Sequence, residues 1–344
     1  MMVWDVYKVN GNPAGFLNPK IQGKDPRIED EVLPDPIQKN ISDCFLIAAL
    51  NSCAWTVSAT NIPLRLSNFG SSFTIPFHWY DQKQPLKPTT AFTTKATTVS
   101  NKLFLDANGK PVYAQATPAQ EIWGAIYEKA FAKFKDCPVD SDGNPDIAVM
   151  QTILKPGDAL SVLVNLTKKK FSFDTAFLPQ TAFLTMNAPP AVFNGQSCSD
   201  YFDVIKTVCS PTAISGKASW PMVAWTYDSE DYTPAWKELG FRYRDATNNR
   251  MLLAKHTYSI LGYYKTTGGS KYIVLRDPLG SVPRGDGFIS SYLSPAPPDT
   301  SYYWDPVGNA TKFTPRNLSL CNDGVFGLRV DAFTGCFSGF GWVQ

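Results

Sequence analysis

The chain has 344 residues, and its 32 Lys and Arg stand against 30 Asp and Glu for a formal net charge of +2. Charged residues make up only 18% and hydrophobic ones 44%, so a sizeable core is expected, and neither nucleic acid nor an anionic membrane as main partner. Nothing approaches the roughly 18 apolar residues of a spanning helix, and Met1–Lys8 lacks the basic start and apolar core of a signal peptide, so neither feature is expected.

Taken in order, residues 1–37 are polar and rich in Pro, Gly and Asp, which reads as an irregular lead-in. Then Gln38-Lys39-Asn40-Ile41-Ser42-Asp43 ends abruptly at Cys44, and an apolar run follows through Phe45, Leu46, Ile47, Ala48, Ala49 and Leu50. This predicts a central buried helix from Cys44 to about Trp55 with a thiol at its N-terminus. There the helix dipole and unpaired N–H groups favour the thiolate, which is the nucleophilic form. Gln38, six residues upstream, has an amide that can turn back to the same place and stabilise an oxyanion. Cys53 reads as core packing.

Between residues 60 and 117, Phe73–Tyr80 reads as a strand and Asp106–Lys110 as a turn. Pro118 and Glu121 suit a helix start, and Ile122, Trp123, Ile126, Tyr127, Ala130, Phe131 and Phe134 follow at helical spacing. A second helix is expected over Asp146–Leu154, after a turn at Asp136–Pro145. Ala159–Leu166 reads as a strand or a short helix, and Ser199–Cys209 as a helix. From Trp220 the texture becomes strand-like: Met222–Tyr227, Thr257–Tyr264 and Lys271–Arg276, the last two joined through Gly268-Gly269 as a hairpin, with further strands near Phe288 and over Phe326–Val330. A helix-rich half followed by a strand-rich half predicts an α+β fold with two lobes, divided as 1–215 and 216–344.

The chain holds two histidines. His256 enters the first strand of the hairpin and Asp277 leaves the second, so antiparallel pairing brings them together. A carboxylate there orients the imidazole and favours its charged form, and an imidazolium beside Cys44 would complete an ion pair. His78, in a strand-like aromatic run without an acidic neighbour, reads as a packing or surface residue. The seven cysteines (Cys44, Cys53, Cys137, Cys198, Cys209, Cys321, Cys336) are odd in number and form no CxxC, so neither a zinc site nor a disulfide framework is expected.

With these residues in view, the sequence resembles the protease core of calpains, a branch of the papain-like cysteine peptidases. Gln38–Leu50 is similar to the family's Q-G-x-L-G-D-C-W-F-L-A-A-L. Glu121–Phe134 is similar to W-x-x-L-L-E-K-A-Y-A-K-L, His256–Ile260 to H-A-Y-S-V, Leu275–Gly280 to L-R-N-P-W-G, and, more weakly, Asn322–Phe326 to D-D-G-x-F-W-M. The resemblance implies a papain-like two-lobed fold, a helical lobe and an antiparallel β lobe with the active site in the cleft between them. It further implies a cysteine endopeptidase acting on polypeptide through a thioester. Cys44 would be the nucleophile, His256 the base and acid, Asp277 the orienting group in place of the family's Asn, and Gln38 with the Cys44 N–H the oxyanion hole.

The departures are Asp277 for Asn, Leu279 and Phe45 for Trp, and Lys255, Lys39 and Ser42 for Gly. They leave a second reading, a catalytically weakened homologue that binds polypeptide, and a third, another acyl transfer on the same residues. The sequence requires no cofactor. Calcium, which calpains bind, wants six or more oxygen ligands; the richest acidic cluster is Asp136, Asp140, Asp142 and Asp146, which a turn explains equally well. A cytoplasmic location is expected from the N-terminus and the thiols, although the sequons at Asn40, Asn165, Asn309 and Asn317 fit a secreted protein equally.

Overall fold

The structure, a computed structural model, describes residues 2–9, 12–13, 37–39, 41–56, 71–79, 92–114, 122–154, 159–168, 184–185, 191–193, 195–209, 216, 218–227, 252–265, 269–280, 303–304, 318–319 and 324–343. It is of mixed α+β architecture. Three short strands come first: β1 (Val3–Asp5), β2 (Lys8–Val9) and β3 (Asn12–Pro13). Helix α1 spans Cys44–Trp55 with all its residues buried, as an all-round apolar segment requires. β4 (Ser72–Trp79) and β5 (Thr93–Ser100) form an antiparallel ribbon from the Ser72–Ser100 pair to Trp79–Thr93, and β6 (Leu103–Leu105) pairs with β1.

Helix α2 (Trp123–Phe134) follows. Pro118 and Glu121, expected at its start, lie outside the described residues. Helix α3 (Ile147–Ile153) is capped by the Asp146 carboxylate, which accepts from the N–H groups of Ala148 and Val149. The ambiguous segment is a helix, α4 (Ala159–Thr167), buried throughout. Short strands β7 (Leu184–Thr185), β8 (Val192–Phe193) and β9 (Gln196–Ser197) precede helix α5 (Tyr201–Cys209).

The remaining elements are β10 (Met222–Thr226), β11 (Thr257–Lys265), β12 (Lys271–Arg276), β13 (Tyr303–Trp304), β14 (Leu318–Ser319), β15 (Val325–Arg329), α6 (Val330–Cys336) and β16 (Phe337–Trp342). Six strands form one antiparallel sheet in the order β15-β12-β11-β10-β16-β7. The predicted hairpin therefore supplies two of its interior strands. Strands β1–β3, in the stretch expected to be an irregular lead-in, strands β5–β9, β13, β14 and β16 and helix α6 are additions to what the sequence pattern predicts, and the strand expected near Phe288 lies outside the described residues. Among the described residues, no helix is long and apolar enough to cross a membrane.

The buried side chains form two clusters. One joins α1, α2 and α4 to the β4–β5 ribbon, with Phe77 ringed by Tyr127, Phe131 and Phe134. The other joins the sheet to α5 and α6, and also takes in Trp55 from α1. Helix α1 is thus packed on both sides, and hydrogen bonds lock it to the sheet. The Met222 N–H donates to Ser52 Oγ at 2.6 Å, Ser259 Oγ donates to the Ala48 carbonyl at 2.8 Å, and Trp55 Nε1 donates to the Leu261 carbonyl at 2.7 Å.

Replacing Ser52 with alanine strands the buried Met222 N–H. Equilibrium urea unfolding of Ser52→Ala is expected to show a loss of about 1–3 kcal/mol, with the slope against denaturant unchanged.

Candidate active site

Cys44 is the first residue of α1 and His256 the residue before β11. Because Ser259 on β11 bonds the Ala48 carbonyl, one turn into α1, the two come together across the junction. His256 is hydrogen-bonded to the Cys44 side chain. On its other side, His256 Nε2 lies 3.0 Å from Asp277 Oδ1, which leaves Nδ1 as the ring nitrogen facing the thiol. All three residues are buried: Cys44 is 5% exposed, His256 6% and Asp277 1%.

Burial alone would drive His256 towards neutrality. The Asp277 carboxylate, by charge and by hydrogen bond, and then Cys44, outweigh it and raise its pKa from 6.5 to about 10. This interaction stabilises the folded state fully below the unfolded value of 6.5 and is lost as pH rises through about 10.

The backbone around the pair is held at several points. The Thr226 hydroxyl accepts the His256 N–H at 3.1 Å and donates to the Leu253 carbonyl at 2.6 Å. The Tyr258 ring meets the imidazole edge to face, centroids 4.9 Å apart, and its hydroxyl accepts the Leu253 N–H. Thr226 and Tyr258 are supporting residues that the sequence pattern does not single out. Tyr258 was legible in His256-Thr257-Tyr258; Thr226, thirty positions from His256, carries no local signal.

Asp277 Oδ1 also accepts the Leu279 N–H at 2.9 Å, so the turn itself steadies the carboxylate. Its backbone N–H donates to the Gly324 carbonyl at 3.0 Å. Gly324 has φ +81°, and a Cβ there would lie 2.6 Å from the Asp277 carbonyl oxygen, so only glycine fits. That gives the weak Asn322–Phe326 match a physical role, although Asn322 and Asp323 themselves lie outside the described residues. Lys255 is exposed and sits at φ +51°, its N–H donating to the Tyr227 carbonyl. The left-handed backbone suits the glycine that the resemblance has at this position, and lysine adopts it at a cost of about 1 kcal/mol.

Gln38 is mostly buried, and its backbone N–H donates to the Pro278 carbonyl at 2.8 Å, tying it to the turn after Asp277. Its side-chain Nε2 donates to the Ile41 carbonyl at 2.6 Å. One N–H of the amide is thereby used and one is left. His78 stands elsewhere, on the β4–β5 ribbon, with Nδ1 3.0 Å from Thr94 Oγ1, and burial followed by the charge of Lys168 lowers its pKa.

The acidic cluster is dispersed among local duties. Asp136 pairs with Lys95, Asp142 with Lys102, Asp140 accepts from the N–H groups of Asp142 and Asn144, and Asp146 caps α3. Among the described residues, no group of three or more His, Cys, Asp or Glu is placed to hold a metal ion. Cys53 and Cys209 are fully buried, with thiol pKa values pushed up by burial, in keeping with packing roles. Asn165 is 1% exposed and donates to the His78 carbonyl, so its sequon is closed to a glycan in the folded chain.

No protein-family model matches the sequence. The chain is 25% identical over 300 residues to a Porphyromonas gingivalis (strain ATCC BAA-308 / W83) protein named "Thiol protease". That similarity covers 86% of this chain and 51% of the other, so the chain spans about half the length of this curated relative.

With two histidines in the chain, imidazole proton resonances followed by NMR against pH report His256 directly. Asp277→Asn is expected to lower its midpoint by about 1–3 units and leave that of His78 unmoved.

Proposed function

We propose that the chain is a cysteine peptidase of calpain type, hydrolysing peptide bonds in polypeptide substrates. The observation that carries this reading is the His256 ring, bonded to Asp277 through one nitrogen and to the Cys44 side chain at the start of a buried helix. The similarity to a protein named as a thiol protease supports the same chemistry independently of that geometry.

In this mechanism Cys44 reacts as a thiolate, its proton resting on His256. The sulfur attacks the substrate carbonyl, and the oxyanion takes hydrogen bonds from the Cys44 backbone N–H and the remaining Gln38 amide N–H. His256 then protonates the leaving amine as the tetrahedral adduct collapses to a thioester. The neutral imidazole next takes a proton from water, whose oxygen attacks the thioester and releases the acid, leaving the Cys44 thiolate and a protonated His256 as at the start. Asp277 stays ionised throughout and holds the ring.

The fold is read as papain-like, with a helical lobe over 1–215 and a β-rich lobe over 216–344 meeting at the site. Trp55 and α5, from the first stretch of sequence, pack with the sheet of the second. The chemistry is assigned to protein groups alone. A reducing, cytoplasmic setting suits the free thiols, six of which lie among the described residues.

The test is alkylation of Cys44 by iodoacetamide against pH, beside cleavage of an unfolded protein substrate, each in calcium and in chelator. Expected are alkylation faster than that of a free thiol, its loss in His256→Ala, and no cleavage by Cys44→Ala. Reactivity equal to that of a free thiol in both media would overturn the peptidase reading and favour the polypeptide-binding homologue. Reactivity in calcium only would assign a cation-driven closure.

A further inference from the structure

Two buried acids beside the nucleophile take no part in the mechanism above. Asp43 is the N-cap of α1, where an aspartate ordinarily turns its carboxylate onto an N–H of the first turn. Here the side chain makes no cap bond. Only its backbone carbonyl serves the helix, accepting from Leu46 and Ile47 at 2.8 and 3.1 Å. The Asp43 carboxyl is fully buried, and among the described residues no N–H or conventional O–H donor reaches either oxygen. Its hydrogen-bond partner is another acid, Glu128 of α2, itself 1% exposed. Glu128 Oε2 accepts the Ala114 N–H at 2.8 Å.

Among the described residues, no cation neutralises the pair. Lys129, next along α2, directs its ammonium away, to the carbonyls of Ser100 and Lys102, both at 2.6 Å. The other titratable groups on the packed elements are Cys44 and Cys53 on α1, Tyr127 on α2 with Lys133, whose ammonium donates to the Thr98 carbonyl at 2.7 Å, Tyr113 before it, and His256 and Tyr258 at the start of β11; α4 contributes none. The Tyr113 hydroxyl is held protonated by burial and by Glu128. Two buried carboxylates in contact cannot both be ionised. Burial, and then the neighbouring Asp43, keep Glu128 protonated far above the ordinary range, while burial raises Asp43 to about 7.

We propose that Asp43 and Glu128 share one proton at and above neutral pH, and that this carboxyl–carboxylate bond is a positioning device that anchors the first turn of α1, and so Cys44, to α2. The inference rests on Cys44 as nucleophile and adds to it how the thiol is held. A carboxylate in the usual capping place would put an unshared negative charge on the first turn, where it opposes the thiolate. Turned onto Glu128, the charge is spread towards α2.

The test has two arms, both on the full chain. In the Cys44→Ala background, infrared spectroscopy at pH 8 is expected to show the carbonyl stretch of a protonated carboxylic acid. Asp43→Asn and Glu128→Gln should each remove it, because the new amide donates to the remaining carboxylate. No such band, or a band that survives both substitutions, overturns the shared proton whether or not the chain is a peptidase. In the second arm, Cys44 alkylation should stay within about threefold of wild type in Glu128→Gln and fall by about tenfold or more in Glu128→Leu, which leaves Asp43 unpaired. Circular dichroism checks that both variants fold. Equal rates in wild type, Gln and Leu variants overturn the positioning role. A wild-type thiol already slow to react, with the acid band present, would instead count against the peptidase reading while leaving the shared proton standing.

Discussion

The site depends first on how α1 is seated. A helix buried on every side has no water to satisfy polar groups that stray from its own ladder, so each must be matched by a neighbour. Ser52, Ala48 and Trp55 are matched by Met222, Ser259 and Leu261, in each case across the junction with the sheet. These bonds fix both the rotation and the axial position of the helix against β11. Because Cys44 begins the helix and His256 precedes the strand, the same contacts set the distance between thiol and imidazole. Packing on both faces resists sliding, since close-packed interiors yield little to displacement.

The second constraint is electrostatic. A charged histidine and an aspartate, each almost wholly buried, are tolerated only as a pair with further hydrogen bonds around them. The structure supplies these through Thr226 on the histidine backbone and the Leu279 N–H on the carboxylate. Gly324 lets β15 approach the Asp277 backbone closely enough to bond it. The Trp that the resemblance has after Pro278 is Leu279 here, and Asp277 is nonetheless almost fully enclosed. The aromatic ring that covers this pair is Tyr258, packed edge to face on the imidazole. The Asp43–Glu128 contact follows a different rule, meeting the cost of burial with a proton in place of a counter-charge.

Much of this was legible in the sequence where a local pattern was strong. The apolar run after Cys44 marked α1 to its last residue, and the hairpin from Thr257 to Arg276 placed His256 beside Asp277 by strand geometry alone. Weak patterns concealed other elements. β5 reads Thr-Thr-Lys-Ala-Thr-Thr-Val-Ser, mostly exposed, and is a strand because β4 pairs with it along its whole length. β16 reads Phe-Ser-Gly-Phe-Gly-Trp, and glycine weakens a strand on its own. It forms because β10 pairs with it, and glycine at 341 lets Leu160 of α4 pack close, a Cβ there coming within 2.5 Å of that side chain. The run Ala159–Leu166 was apolar enough for strand or helix, and the segment is a helix, Ala159–Thr167, buried in the cluster with α1 and β4.

By itself, the sequence determined the chemistry on offer: one cysteine at a helix start, two histidines, an aspartate at a hairpin end and an amide upstream. Those are local facts, set by residue type, by hydrophobic period and by the turn between two strands. Only the tertiary structure decided which groups share a proton or a charge. It bonded His256 to Cys44 on one side and Asp277 on the other, turned the Gln38 amide onto Ile41, and set Asp43 against Glu128. The reason is physical. Pairing energies among ionisable groups depend on distance and on exclusion of water, and both arise when segments more than 80 residues apart, as Asp43 and Glu128 are, pack into the same dry space.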